Sequence, residues 1–237
     1  MDIAIRTLTN PEEWADIPKL EQAIWGNDDP VPTSWMRVMV SLGGEVSVAF
    51  DPRQPGEFLG FTMSIGSCDA GGPFLYSHQA GVVPDHQGQG IGRILKYHQN
   101  AWAETAGYAR IQWTFDPLRA NNAYFNVAVL GADIVAYYPN YYGTMTSRLN
   151  RGLPSDRVLC EWRVPRPPRS ASGALNHFCA IRIPPDIGVL KVEDPALGLR
   201  WRENVERQFQ DALRAGLRVV GFAKHPYPAY LLAEPEA

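Results

Sequence analysis

The stretch Val82-Val83-Pro84-Asp85-His86-Gln87-Gly88-Gln89-Gly90-Ile91-Gly92 decides the fold of this chain. An apolar run ends at a proline, three glycines alternate with other residues, and an amphipathic helix is predicted to follow directly. Such a turn leaves backbone N–H groups pointing outward at the positive end of a helix, which is an anion site. Because Gly88, Gly90 and Gly92 lack a β-carbon, a phosphate can approach the backbone closely. The turn is therefore predicted to hold a pyrophosphate.

Two other phosphate-binding motifs use glycine-rich turns, and the spacing argues against both. A dinucleotide fingerprint needs its third glycine three residues after Gly90 and an acid about 20 residues further on, which this chain does not supply. A Walker loop is excluded because no Gly-Lys-Ser or Gly-Lys-Thr follows. A nucleotide-binding oxidoreductase remains the weakest alternative.

The regions on either side of the turn predict an α/β order of elements. Upstream, Ile3 and Ile5 alternate as in a strand, Asn10 is placed to cap a helix, and a second helix follows Thr33. Three strands with short turns between them are predicted at 45–50, 58–65 and 74–83. Downstream, a helix is predicted over about 90–106, with Ile91, Ile94, Leu95, His98 and Trp102 on one stripe. A strand (110–115), a helix (121–130) and a strand (133–138) complete the predicted order.

A proline- and arginine-rich stretch divides the chain into three predicted parts: a domain over 1–163, a linker over 164–175 and a C-terminal extension over 176–237. The extension is predicted to contain strands at 178–183 and 217–222 and an amphipathic helix over 197–215. That helix is expected to pack on the core. The alternative is that the extension covers the acceptor site or forms the contact of a homodimer.

Composition excludes several classes of function. The 237 residues carry a net charge of −3 and no basic stripe, so nucleic acid is not expected as a partner. No run approaches the ~20 apolar residues that span a bilayer and no signal sequence begins the chain, so a cytoplasmic protein without a membrane partner is expected. The spacing of histidines and of three cysteines fits neither a metal site nor a disulfide framework.

The motif at 82–92 resembles that of the GCN5-related N-acetyltransferase (GNAT) superfamily, in which an apolar strand and Pro-acid precede Arg/Gln-x-x-Gly-x-Gly/Ala. The order of elements is similar over roughly 1–163. The residues at 113–126 are similar to a poorly characterised bacterial branch of predicted acetyltransferases, and some related proteins transfer succinyl groups to amino acids. The resemblance implies the GNAT fold, an α/β (α+β) fold with a mixed, mainly antiparallel central sheet flanked by helices, here with a small C-terminal α/β subdomain.

The resemblance also implies a co-substrate, acetyl-CoA or another acyl-CoA, and no metal. The turn amides would hold the pyrophosphate of coenzyme A, and the preceding strand would pair with the pantetheine arm. Arg93 and Lys96 either lie beside the phosphates or are solvated helix residues. Asn121, Asn122 and Asn126 lie at the start and in the first turns of the following helix, where one is expected to cap it and another to contact pantetheine. The expected coenzyme-binding residues are Val82, Val83, Gln87, Gly88, Gln89, Gly90, Ile91, Gly92, Arg93, Asn121 and Asn122.

Acyl transfer to an amine needs a base, because an ammonium group has no lone pair. Family members often keep a Glu on the strand before the turn, and this sequence has none there. Alternation places Tyr76 and His78 on one face of that strand, together with Ala80 and Val82. The ordinary pKa of a histidine, ~6.5, suits proton transfer near neutrality. Tyr76 and His78 are therefore the catalytic candidates on this strand. His78 is predicted to be the base or part of a relay, with a buried packing role as the alternative.

The family's usual acid is a Tyr four residues before the glycine that ends the next helix. That glycine is Gly131, and the matching residue is Val127. Tyr124 lies three residues earlier, on a similar face of an α-helix, and is either the acid or a packing residue. Two residues are candidates for the acceptor site. Asp116 either attracts the acceptor's ammonium group or forms a turn with Pro117, and Tyr138 either lines the acceptor pocket or packs at a strand end.

The sequence thus predicts an N-acyltransferase that moves an acyl group, acetyl by default, from acyl-CoA to a primary amine of a small molecule. Direct transfer in a ternary complex is expected. The missing Glu and Val127 leave open a non-catalytic module that binds or senses acyl-CoA. An N-succinyltransferase acting on amino acids is a further alternative, for which Arg148, Arg151 and Arg157 are candidate carboxylate ligands.

Overall fold

The computed structural model describes residues 2–26, 30–143, 152–166 and 179–235. The chain forms two compact units, one of Met1–Trp113 with Arg163–Pro167 and one of Thr114–Trp162 with Pro168–Ala237. This division falls inside the segment 1–163, so the division into 1–163, 164–175 and 176–237 stays a prediction. Most of the predicted linker lies outside the described residues, as do Arg148 and Arg151.

The first unit is built on a mixed, mainly antiparallel sheet. Strands β1 (Ala4–Thr7), β2 (Val46–Phe50), β3 (Phe58–Asp69) and β4 (Gly72–Val82) lie side by side in chain order, each antiparallel to the next. Strand β5 (Arg110–Phe115) is parallel to β4, and its last two residues belong to the second unit. These two described strands pair at only two positions, Leu75 with Ile111 and Tyr76 with Gln112. Pairing between β4 and the part of β5 that belongs to the first unit ends at Tyr76 and Gln112.

Helices cover both faces of this sheet. A 3-10 helix (Pro11–Asp16), capped by the side chain of Asn10 as predicted, leads into α1 (Ile17–Trp25), and α2 (Thr33–Ser41) follows. Helix α3 (Ile91–Thr105) packs on the opposite face, where its Ile91 and Leu95 join Ala49 and Leu59. The core beneath α1 and α2 contains Leu8, Trp14, Ile17, Leu20, Met36, Met39, Val46, Val48, Phe61 and Met63.

The buried side of α3 differs from the predicted apolar stripe. Ile94 is 39% exposed, whereas Lys96, Gln99 and Asn100 are buried. These polar side chains are inside because each has a hydrogen-bond partner there. Asn100, for example, donates to the backbone carbonyl of Arg163 at 2.9 Å.

The second unit contains a strand pair, a three-stranded sheet and helices. Strands β6 (Asp133–Tyr138) and β7 (Arg157–Arg163) are antiparallel. Helix α4 (Ala120–Ala123) continues directly into a π-helix, Tyr124–Leu130. Strands β8 (Cys179–Arg182), β9 (Arg218–Ala223) and β10 (Ala229–Ala233) form an antiparallel sheet in the order β8-β10-β9, and α5 (Ile187–Glu193) and α6 (Pro195–Arg214) separate β8 from β9.

Aromatic side chains form the centre of the second unit. Phe209 of α6 stacks on Tyr137 of β6, with ring centroids 5.5 Å apart, and meets the edge of Tyr230 of β10 at 4.9 Å. Tyr230 also contacts Phe222 of β9 at 5.0 Å. Helix α6 thus buries its apolar side against β6 and against the three-stranded sheet.

The predicted fold class is confirmed: a mixed, mainly antiparallel sheet is flanked by helices. Strand β5 has the predicted bounds, and the other predicted elements recur within a few residues. Strands β7 and β10 and helix α5 were not predicted. The predicted strand at 178–183 corresponds to β8, although residue 178 lies outside the described residues. Within the described ranges, no helix is long and apolar enough to cross a membrane.

Candidate active site

The glycine-rich turn forms an open end on helix α3. The chain leaves β4, makes a 3-10 turn at Pro84–His86, and passes through Gly88 at φ +76° and Gly90 at φ +87°. Gly90 is the N-cap of α3, and no side chain caps this helix. In the described part of the chain, none of the backbone N–H groups of residues 88–92 donates to a protein acceptor. Free amide donors at a positive helix end suit a phosphate group.

Arg93 adds a positive charge beside these amides. A β-carbon built on Gly90 would lie 4.0 Å from Nη2 of Arg93, and the Arg93 side chain is exposed. No other atom lies within 4 Å of that β-carbon position, so it is the left-handed φ, not crowding, that requires glycine at position 90. The turn thus combines backbone donors with one exposed guanidinium group.

Side-chain amides fix the shape of the turn. Nε2 of Gln87 donates to the carbonyl of Val82 at 2.9 Å, and Nε2 of Gln89 donates to the carbonyl of Asp85 at 3.2 Å. The carbonyl of Val83 accepts from the backbone N–H of His86 at 3.0 Å. Pairing of Val82 and Val83 with a pantetheine arm would therefore use the second lone pair of these carbonyls.

Strand β4 contains a β-bulge at His78. Ser77 pairs with Ser64 and Gln79 pairs with Met63, so His78 is an extra residue with no partner position on β3. The bulge follows Tyr76, the last residue of β4 that pairs with β5 in the first unit. His78 is exposed.

The bulge changes which residues share a face of β4. Ser77 contacts α3 through Lys96, whereas a β-carbon on Gly81 would meet Ile24 and Trp25 of α1. The prediction that Tyr76 and His78 share a face with Ala80 and Val82 is wrong, because alternation of period two is interrupted at the extra residue. Tyr76, Gln79 and Gly81 face α1, and Leu75, Ser77, Ala80 and Val82 face α3.

The environment of His78 favours the neutral imidazole. Although its surface is exposed, the surrounding protein removes enough water to lower its pKa below the ordinary value. A histidine with a lowered pKa is uncharged at neutral pH and can accept a proton. This state matches the role of base that the sequence predicts for His78.

Glu21 is a buried acid next to this strand, and the sequence reasoning did not single it out. Its carboxylate is fully buried, accepts the backbone N–H of Val31 at 3.0 Å, and is hydrogen-bonded by the side chain of Gln79. Burial raises the pKa of Glu21. The Oε1 atom of Gln79 is itself buried, and no residue in the described ranges hydrogen-bonds to it. The available signal was a carboxylate between Leu20 and Ile24 on the apolar stripe of α1.

A second buried polar network joins α3 to β4. Nζ of Lys96 donates to Oγ of Ser77 at 3.1 Å and to Oε1 of Gln99 at 2.6 Å, and it lies 4.1 Å from the ring centroid of Trp113. Gln99 in turn donates to Oε1 of Glu45 at 2.8 Å, and burial raises the pKa of this acid. Both interpretations of Lys96 are thus wrong: it is neither solvated nor placed at the phosphate turn, because its partners lie inside.

Tyr124, the predicted acid, is half-buried in the second unit beneath a lysine. Nζ of Lys224, after β9, lies 3.9 Å from the centroid of the Tyr124 ring. Tyr124 opens the π-helix, whose i to i+5 bonding makes its turn wider than that of an α-helix. The argument that Tyr124 shares a face with Val127 therefore fails. Val127 itself is buried.

The two asparagines at the start of the next helix are exposed and do not cap it. Helix α4 begins at Ala120, its N-cap residue is Arg119, and no side chain makes a capping hydrogen bond. The expected cap from Asn121 or Asn122 is therefore wrong, because both residues lie inside the helix. Their contact with pantetheine stays a prediction.

Asp116 forms a turn and an ion pair. Its Oδ1 accepts the backbone N–H of Leu118 at 3.0 Å, which is the turn alternative, and both carboxylate oxygens are held by Arg202 at 2.8 and 3.0 Å. Burial alone would raise the pKa of Asp116, but the charge and hydrogen bonds of Arg202 hold it below the ordinary value. Since this charge is already paired, Asp116 is a poor ligand for an ammonium group.

Tyr138 belongs to an exposed aromatic group. Its ring stacks on that of Tyr141 at 5.2 Å, and Tyr141 meets the edge of Tyr142 at 4.7 Å. All three residues are at least 36% exposed. Tyr138 thus remains available to line an acceptor pocket.

The structure brings the turn residues together with Val82, Val83, Tyr76 and His78 in the first unit. Tyr124, Asn121, Asn122, Asp116 and Tyr138 belong to the second unit. A meeting of these two sets stays a prediction.

Comparison with known proteins bears on the fold. No protein-family model and no curated protein matches the sequence. Among solved structures, the ribosomal-protein-S18-alanine N-acetyltransferase of Escherichia coli is 18% identical with a TM-score of 0.54, over 75% of this chain and all of its own. A GNAT phosphinothricin acetyltransferase of Sinorhizobium meliloti, in complex with acetyl-CoA, is 14% identical with a TM-score of 0.54, over 69% and 89%. The IAA acetyltransferase of Bacillus cereus is 14% identical with a TM-score of 0.51, over 69% and 100%. These likenesses show the GNAT fold.

Proposed function

We propose that the chain is an acyl-CoA-dependent N-acyltransferase that moves an acyl group, acetyl by default, to a primary amine of a small molecule. The observation that carries this proposal is the uncapped N-terminus of α3. There the backbone N–H groups of residues 88–92 have no acceptor among the described residues, and the side chain of Arg93 lies near Gly90. The same fold holds acetyl-CoA in the phosphinothricin acetyltransferase that it resembles.

In the proposed complex, Gln87 to Arg93 bind the pyrophosphate of the acyl-CoA through backbone N–H groups and the guanidinium. The pantetheine arm lies along the part of β4 that β5 leaves unpaired, near Val82 and Val83. Asn121 and Asn122 supply amide groups to the same arm. This arrangement would deliver the thioester toward the bulge in β4.

The chemistry proposed for β4 starts with deprotonation of the amine. The neutral imidazole of His78 accepts a proton from the acceptor's ammonium group, and the freed lone pair attacks the thioester carbonyl carbon. As the C–S bond breaks, Tyr124 gives its hydroxyl proton to the leaving thiolate. The nitrogen of the new amide gives its surplus proton to the resulting tyrosinate, and His78 returns its proton to solvent. Tyr76 and Tyr138 would hold the acceptor. The reaction is direct transfer in a ternary complex, with no acyl-enzyme.

Glu21 is proposed to support this step through Gln79. A fully buried carboxylate fixes the amide of Gln79, the residue that follows His78. It thereby orients the Oε1 atom of Gln79, which has no hydrogen-bond partner among the described residues. Such an acceptor can hold an N–H group of the incoming amine. Glu21 thereby partly replaces the Glu that related proteins often keep on this strand.

A second candidate function is a non-catalytic module that binds or senses acyl-CoA. It is favoured by the buried Val127 at the position where the family usually places its acid. The open turn on α3 serves both functions equally, so only turnover separates them.

The test measures binding and turnover on the same full-length protein. Calorimetry with acetyl-CoA, succinyl-CoA and NADH reports the ligand, and release of free CoA thiol in the presence of amines reports transfer. The amines should include amino acids, polyamines and short peptides, with the acylated product identified by mass spectrometry. We expect acetyl-CoA binding and amine-dependent thiol release. Binding without release for every amine would establish the module, and NADH binding without CoA binding would overturn both.

A further inference from the structure

The extra residue of β4 lies between two residues that are anchored on opposite faces of the sheet. Ser77, just before His78, is held from α3 by Lys96, whose Nζ donates to the Oγ of Ser77 at 3.1 Å. Gln79, just after His78, is hydrogen-bonded to Glu21 of α1. Lys96 and Glu21 are buried, with exposures of 3% and 0%. The bulge is therefore held from both helical layers by buried ionisable side chains.

The bond from Lys96 belongs to a buried network that also reaches the residue opposite Ser77. Nζ of Lys96 donates to Oε1 of Gln99 at 2.6 Å, and Nε2 of Gln99 donates to Oε1 of Glu45 at 2.8 Å. The same carboxylate accepts from Oγ of Ser64 at 3.2 Å. Ser64 is the residue of β3 that pairs with Ser77. One network thus fixes both members of the last regular pair before the bulge.

The same two strands could accommodate the bulge one residue earlier. Ser77 would then be the extra residue, and His78 would pair with Ser64 in its place. Residues opposite each other on neighbouring strands share a face of the sheet, so His78 would point toward α3. The hydrogen bond between Lys96 and Ser77 opposes this shift, because the shift would break it.

A shift of one residue in the other direction is opposed from α1. Gln79 would then be the extra residue, and His78 would pair with Met63, which belongs to the core beneath α1 and α2. The hydrogen bond between Gln79 and Glu21 would be lost. Either shift would turn His78 into the protein. The present position of the bulge is therefore the one that leaves His78 exposed.

A buried ionic group is rarely needed for stability, because apolar side chains of similar volume often serve a fold as well. A better attested use of such groups is to specify one register among several. We propose that Lys96 is a positioning residue: its hydrogen bond to Ser77 keeps the extra residue of β4 at position 78 and so keeps His78 exposed. This role is additional to the one proposed for Glu21, and it rests on the proposed function only where turnover is measured.

The position of the bulge can be read from the imidazole of His78. The full-length protein is prepared with isotope-labelled histidine, which gives NMR signals from only five residues, and His78→Gln identifies those of residue 78. We expect one set of His78 signals in the unmodified protein and a second set, from a buried imidazole, in Lys96→Met. The ratio of shifted to native protein should rise by about tenfold or more, as expected when a hydrogen bond to a charged group is lost.

Ser77→Ala removes the acceptor of the same hydrogen bond. It is the smaller change, so it decides the question if Lys96→Met does not fold. It should also produce the second set of signals, and the double variant should give a ratio no larger than Lys96→Met alone, because both substitutions remove one bond. Lys19→Met, which removes an exposed lysine of α1, is the control and should show a single set.

Two outcomes of the NMR experiment would overturn the proposal. One is a single set of His78 signals in either Lys96→Met or Ser77→Ala when that variant is folded. The other is an additive effect in the double variant, because independent effects would show that Lys96 does not act through Ser77.

Kinetics give a second measurement, which rests on the proposed function. Lys96→Met should lower kcat in proportion to the shifted fraction seen by NMR and leave acetyl-CoA affinity unchanged in calorimetry, whereas Lys19→Met should change neither. Loss of turnover without a second set of His78 signals would contradict the positioning role. A second set of signals in a protein that transfers no acyl group would support the positioning role and contradict the proposed function.

Discussion

The N-terminus of α3 and those of α5 and α6 are built in opposite ways. In α5, Oδ1 of Asp186 accepts the backbone N–H groups of Gly188 and Val189 at 2.7 and 3.2 Å. In α6, Oδ1 of Asp194 accepts the N–H of Leu197 at 2.8 Å. Helix α3 begins instead at Gly90, which has no side chain to accept anything.

This difference separates helix ends that stabilise the fold from one that is free for a ligand. A capping Asp satisfies first-turn donors and typically contributes about 1 kcal/mol of stability. The turn before α3 lacks that contribution and leaves its donors open, on the longest helix of the first unit. An uncapped, glycine-lined helix start is therefore the feature that a substitution should disturb most.

The largest expected effect comes from Gly90→Val. A β-branched residue at φ +87° is strained and must rearrange the turn, so we expect acetyl-CoA affinity to fall by more than about 100-fold. Gly107→Val is the matched control, because Gly107 has φ +83° and equally open surroundings at the other end of α3. Its CoA affinity should be unchanged. If calorimetry showed normal CoA affinity for Gly90→Val, the assignment of the turn as the CoA-binding site would be contradicted.

His78→Ala should lower turnover without changing CoA binding at the N-terminus of α3. Turnover is expected to fall by about 100-fold, the usual contribution of a general base, while CoA affinity stays the same because the turn on α3 is intact. Steady-state kinetics and calorimetry on one preparation measure both. Wild-type turnover would exclude His78 from the mechanism.

The pH dependence of the unmodified protein tests the same residue. A base must be neutral to act, and the pKa of His78 is lowered by burial, so kcat/KM should fall only below the ordinary histidine range near 6.5. The acidic limb should be absent from the residual activity of His78→Ala. A limb that persists unchanged in the variant belongs to another group.

Arg93→Gln should weaken CoA binding by about tenfold, because one charge-assisted contact is lost while the backbone donors remain. The salt dependence of binding should fall with it. Arg37→Gln, an exposed arginine on α2, is the control and should bind CoA normally. Equal effects of the two substitutions would indicate that Arg93 acts only through net charge.

Asp194→Ala should give the smallest effect. In contrast to Gly90→Val, it should change stability and leave CoA binding unchanged. Loss of the cap on α6 is expected to lower the free energy of unfolding by about 1 kcal/mol, measured by urea denaturation, with CoA affinity unchanged. A change in CoA affinity similar to that of Gly90→Val would contradict the division between closed and open helix ends.

Local sequence signals predicted the elements whose patterns involve only residues that are close together in the chain. Strand β5 has the predicted bounds because Arg110–Phe115 alternates clearly, and Asn10 caps the first helix because it precedes Pro11 directly. Strand β7 was not predicted, since Arg157, Glu161 and Arg163 place charges within it. The glycine turn was found from sequence because its conformation depends only on its own residues.

The buried polar groups could not be predicted, because each of them needs a partner that lies far away in the sequence, Ser77 for Lys96 and Glu45 for Gln99. Lys96 is buried through Ser77 and Gln99, and Gln99 through Glu45, so the position of each depends on contacts that the fold creates. The bulge was missed for a related reason. Alternation alone shows no extra residue, and only the pairing of β4 with β3 shows where one was accommodated.

The bulge also bears on how this strand can change over evolutionary time. Because His78 is the unpaired residue, its deletion would leave Ser77 facing α3 and Gln79 facing α1, as they are now. An insertion or deletion at any regular position of β4 would exchange the faces of every residue that follows. Position 78 is thus a place where a reactive side chain can be gained, lost or exchanged while the layers on either side of the sheet stay intact.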